Sequence, residues 1–136
     1  MWLSDAALAH LQQVAIEPDL SGTRYTLVRS VGRGGMGTVF VVRDAALDRD
    51  VALKVVNAAG PHASLDDRLS GEARVLARLE HPGIVPVHDA GTLADGRAFY
   101  VMKLVKGDAL PSYLAWLSRV DARLRLFERI CEPVAF

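Results

Sequence analysis

Gly32-Arg33-Gly34-Gly35-Met36-Gly37 places four glycines in six residues, between stretches that otherwise favour strands. Glycine weakens a strand through its backbone entropy, so the run gives up local stability. Backbone N–H groups in such a loop can lie against phosphate oxygens with no Cβ in the way. A plain flexible turn is the other reading. The run matches G-x-G-x-x-G, which in dinucleotide folds opens a helix whose N-terminus holds the pyrophosphate. Here Thr38, Val39, Phe40, Val41 and Val42 follow, and they favour strand over helix. That excludes the dinucleotide arrangement.

A second chemical group lies in "VALKVV" (51–56). Strand alternation puts Ala52, Lys54 and Val56 on one face and Val51, Leu53 and Val55 on the other. Both faces are mostly apolar, as in a strand covered on both sides. A lysine there either finds an anion or snorkels to the sheet edge. Ala52 beside it leaves room for a flat ring. A third group is Glu72, on the stripe of Leu65, Leu69, Leu76 and Leu79. A carboxylate on a buried face is costly unless paired. Arg68 or water could serve it, but Lys54 and Glu72 are natural partners, and their pairing would hold the lysine towards phosphate oxygens.

These groups need a scaffold. "RYTLVRSV", "TVFVVRD" and "VALKVV" read as three strands in quick succession, an antiparallel meander. A helix is expected from about 64 to 79, after the break at "NAAGPHA". Two further strands fit "GIVPVHDAGT" and "AFYVMKLV", joined by a turn with Asp95-Gly96 at its tip. Helical periodicity takes over near 111–118 and again from about 120. The expected fold is therefore α+β: a five-stranded antiparallel sheet with one packed helix, followed by helices. Expected units are an amphipathic helical extension (1–20), a sheet-bearing lobe (21–106), and the first helices of a second lobe (107–136).

Composition sets bounds. Of 136 residues, 51% are apolar and 24% charged, an ordinary globular balance. Sixteen basic residues offset sixteen acidic ones, which argues against nucleic acid or an anionic membrane surface as partner. No stretch is apolar enough to span a bilayer, and residues 1–20 lack a signal-peptide pattern. The single cysteine, Cys131, fits a reducing compartment and a cytoplasmic location. His88-Asp89, in the expected fourth strand, reads as a structural pair.

The motifs, in this order, resemble the amino-terminal lobe of a protein kinase of the bacterial serine/threonine type. Gly32 to Val39 match G-x-G-x-x-G-x-V, which in that family covers the phosphates of ATP. "VALK" matches V-A-I-K, which implies that Lys54 meets the α- and β-phosphates and pairs with Glu72. "FYVMKLVKGDAL" resembles the fifth strand and hinge. The resemblance implies Met102 as gatekeeper, with the backbone of Lys103 and Val105 at the adenine edge. Val39 and Ala52 would form the ceiling over the ring, with Val31 beside them. An acidic residue commonly follows the gatekeeper, and here it is Lys103.

The family's H-R-D-x-x-x-x-N and D-F-G motifs do not occur in these residues. "LRLFERICEPVAF" resembles the helix that leads to the catalytic loop, with Pro133 expected to kink or break it. The expectation is a truncated kinase that binds ATP, with Mg²⁺ engaged only in a complete enzyme. The alternative is a free-standing, pseudokinase-like module that binds nucleotide or a partner without catalysis. Leu124, Phe127 and Ile130 on the last helix imply self-association through an exposed apolar face.

Overall fold

The computed structural model of the chain describes residues 17–35, 37–56 and 71–136. Strands β1 (Tyr25–Gly34), β2 (Gly37–Asp44) and β3 (Arg49–Val56) come first, then helix α1 (Gly71–Arg78). Strands β4 (Val87–Thr92) and β5 (Ala98–Met102) follow, then helices α2 (Leu110–Trp116) and α3 (Val120–Val134). The strands form one antiparallel sheet in the order β1-β2-β3-β5-β4. This is the expected α+β architecture. The extension over 1–20 lies mostly outside the described residues, as do the helix start near 64, Leu65, Leu69, Met36 and the side chain of Glu72.

Each turn is locally specified. Between β2 and β3, the Asp44 carboxylate accepts the N–H groups of Ala46 (3.1 Å) and Leu47 (3.4 Å). Asp48 there takes a φ of 49°, a conformation that aspartate tolerates better than most side chains. Between β4 and β5, Gly96 has a φ of 84° and Asp95 Oδ1 accepts the Arg97 N–H at 3.0 Å.

The alternation expected for β3 divides the core in two. Val51, Leu53 and Val55 join Phe40, Val42, Phe99 and Val101 in the larger cluster, with Tyr25 and Leu93. On the opposite face Val56 and Tyr100 cluster with Leu76, Val87 and Met102. Burying each such side chain is worth about 1.5–3 kcal/mol. The ion pairs of Arg43 with Asp48 and Asp50 lie in solvent, where such pairs contribute little, so packing holds the sheet.

The two edge strands meet. The Tyr25 hydroxyl at the start of β1 donates to Asp89 Oδ2 in β4 at 2.6 Å, and Arg24 lies 3.5 Å from the same carboxylate. β1 and β4 are the outermost strands, so this contact requires a strongly curled sheet. Asp89 is thus structural, as expected. His88 is not its partner: it is exposed, and no hydrogen bond joins the two among the described residues. Partial desolvation of the ring, then the charges of Arg49 and Lys103, hold the His88 imidazolium below its ordinary pKa.

Three boundaries differ from expectation. β4 starts at Val87, because Pro82 and Pro86 cannot donate to a ladder. β5 stops at Met102, after which the Lys103 N–H bonds the Pro86 carbonyl at 3.2 Å. Helix α3 passes through Pro133 and ends one residue later at Val134, where the lost N–H falls in the terminal turn. Its end packs on the loop before β4: the His81 and Phe136 rings are 5.0 Å apart. The rest of its apolar stripe is open, with Leu124 59% and Phe127 64% exposed.

Burial, and then the bond to Asp89, push the Tyr25 phenol up to about 12. Its folded pKa exceeds the unfolded value of about 10, so its stabilisation is whole below pH 10 and is lost as pH rises towards 12. Denaturant melts across that window should show stability falling with pH. Tyr25→Phe should flatten the fall and cost about 1–2 kcal/mol at pH 7. An unchanged pH slope in the variant would refute this.

Candidate functional site

The β1–β2 hairpin ends in the register Gly32 opposite Val39, Arg33 opposite Thr38 and Gly34 opposite Gly37. The glycine run is therefore the tip of a hairpin with its turn at Gly35, not the start of a helix. Two register shifts in β1, between Leu27 and Arg29 and between Ser30 and Gly32, interrupt the regular ladder as the strand enters the run.

Lys54 sits in β3 opposite Val39 of β2 and Tyr100 of β5. Its Nζ lies 5.6 Å from the centre of the Tyr100 ring, a cation–π approach. Lys54 is only half-buried, so it neither sits sealed in the core nor swings fully into water. Ala52, opposite Met102, is 5% exposed on the same face, and the small residue leaves that face shallow.

Val31, Gly32, Arg33, Gly34, Gly35, Gly37, Val39 and Lys54 line one concavity of about 470 Å³. Among the described residues no carboxylate lines it, and two cations do. A Cβ added at Gly32, Gly34 or Gly35 would meet nothing within 4 Å, and none of the three has a left-handed φ. The fold does not require glycine at those positions. Gly37 differs: its φ is 152°, and a Cβ there would collide with the Val55 carbonyl. So one glycine serves the sheet, and three leave open backbone facing a hollow.

The structure brings together the glycine loop, Val31, Val39 and Lys54. Lys103 and Val105 instead line a second hollow with residues 82–86. Ala52 and Met102 border neither of these two hollows. The Lys103 N–H is taken by the Pro86 carbonyl at 3.2 Å. The side chain of Glu72 lies outside the described residues, as does Met36. Sequence reasoning missed Tyr100 beneath Lys54. Its position two residues before Met102 on an alternating strand was the signal.

Gly37→Ala should destabilise the chain by about 2 kcal/mol or more, read as a lower denaturant midpoint. Gly34→Ala and Gly35→Ala should leave that midpoint within about 0.5 kcal/mol. A large loss in the latter two would mean that the fold, not a ligand, needs those glycines.

Residues 25–136 match the protein kinase domain family. The chain is 37% identical to serine/threonine-protein kinase PknD of Chlamydia trachomatis serovar D, covering 83% of this chain and 14% of that protein. It is 30% identical to PknD of Protochlamydia amoebophila, covering 82% of this chain and 13% of the relative. This chain therefore spans about a seventh of these curated relatives' length. The crystal structure of the M. tuberculosis PknI kinase domain superposes with a TM-score of 0.60 at 30% identity, over 81% of this chain and 45% of that one. Among the described residues no helix is long and apolar enough to cross a membrane. A hairpin glycine loop, a lysine on the third strand and a sheet of matching fold converge with those likenesses: the chain belongs to the protein kinase domain family, as the amino-terminal lobe of a bacterial-type serine/threonine kinase.

Proposed function

We propose that this lobe holds ATP for phosphoryl transfer to serine or threonine of a protein, in an enzyme longer than these 136 residues. The observation that carries the reading is the single concavity shared by Lys54 and three glycines whose Cβ positions are empty. Phosphate oxygens would lie against the backbone of Gly32, Gly34 and Gly35, with Lys54 as their counter-charge. Val31, Val39 and Ala52 would cover the adenine and Met102 would limit its depth. The Lys103 carbonyl and the Val105 backbone would read its edge. Glu72 would pair with Lys54 and keep it aimed.

Bound ATP supplies the phosphoryl group, and this chain's part is to position it. Among the described residues no group of three or more His, Cys, Asp or Glu could hold a metal ion. Mg²⁺ would arrive with the nucleotide, as the kinase likeness implies, and be engaged only in a complete enzyme. Neither H-R-D-x-x-x-x-N nor D-F-G occurs here, so no transfer is expected from the chain alone.

A site open on one side should bind ATP only in about the high micromolar range, roughly −5 kcal/mol. Calorimetric titration should show that binding and its loss in Lys54→Met. Glu72→Gln should also weaken it, and the double variant should lose less than the sum of the two. Additive effects would show that the two groups are uncoupled, and undiminished ATP binding by Lys54→Met would remove the reading.

The open stripe of α3 should make the isolated chain self-associate. Light scattering after size exclusion should give dimers or larger species, reduced by Phe127→Asp. A clean monomer at about 100 μM would overturn this.

A further inference from the structure

Arg33 is the spare cation of the concavity. It is exposed, and among the described residues its side chain makes no hydrogen bond or ion pair. Arg24, Arg43, Arg97 and Arg125, by contrast, are each held by a carboxylate. Arg33 lines the same hollow as Lys54, and among the described residues no acidic side chain lines it with them. Its backbone lies between Gly32 and Gly34, whose Cβ positions are empty, so the loop can adjust around a ligand without steric cost. A guanidinium presents a planar fork of donors that matches phosphate oxygens two at a time, and it stays charged at any working pH.

We infer that Arg33 is a second cationic contact in the phosphate half of this site, making its affinity depend on how many phosphates the nucleotide carries. This rests on the nucleotide-binding reading above. Lys54 is held on the strand face and meets the phosphates from the sheet side. Arg33 meets them from the loop side, where charge increases from adenosine to ADP to ATP. A solvated arginine with no ligand role would be indifferent to that series. Arg29, also exposed on β1 but not lining the concavity, provides the comparison for bulk charge.

The test is an NMR titration of the 136-residue chain with adenosine, ADP and ATP in EDTA, so that only protein cations are read. Arg33→Ala should weaken ATP about fivefold and ADP less, and should leave adenosine unchanged. Arg33→Lys should recover part of the loss, and Arg29→Ala should change none of the three. An Arg33→Ala variant with unaltered ATP affinity, or with equal losses for adenosine and ATP, overturns the inference alone. So does an equal loss of ATP affinity in Arg29→Ala, which would assign the effect to net charge. If the unsubstituted chain binds ATP no better than adenosine, the nucleotide reading fails and takes this inference with it.

Discussion

The central constraint is that β3 must be covered on both faces while carrying a lysine. On one face the problem is solved internally. The sheet curls until Tyr25 reaches Asp89, and the side of Val51, Leu53 and Val55 closes into a sealed core. The other face cannot be sealed the same way, because Lys54 needs a partner of opposite charge. Part of it is covered by Leu76 of α1 and by Val87, which pack on Val56 and Tyr100. Among the described residues, Lys54 and Val39 border the concavity of the glycine loop. The site is the portion of the core that the fold leaves unfinished.

Much of this was readable from local pattern. Alternation in "VALKVV" assigned Lys54 and Leu53 to opposite faces, and the five strands fell in the expected sequence. The β-branched residues after Gly37 correctly excluded a helix start, since the hairpin register continues straight into β2. Local pattern failed where contacts span the chain. Tyr25 and Asp89 are separated by 64 residues, and neither carries a mark of the other. The glycine motif likewise does not reveal that Gly37 alone is demanded by the fold, because that depends on the Val55 carbonyl across the sheet.

The hinge shows a different limit. Sequence likeness implies that the backbone of Lys103 and Val105 meets the adenine edge, and both residues line a hollow shared with residues 82–86. A backbone contact is carried by carbonyl and amide directions, which no side-chain pattern records. The bond from the Lys103 N–H to Pro86 is such a direction, fixed by where a proline ends the preceding loop. Helix α3 taught a similar lesson: Pro133 reads as a breaker, but a breaker in the last turn costs little.

That same proline lies against Gly83. A Cβ on Gly83 would come within 2.9 Å of the Pro133 ring, a distance that packed carbon atoms do not adopt. The ring is rigid and cannot yield as a long side chain would. A side chain at position 83 is therefore compatible with this helix ending only if the ring at position 133 shifts or is lost.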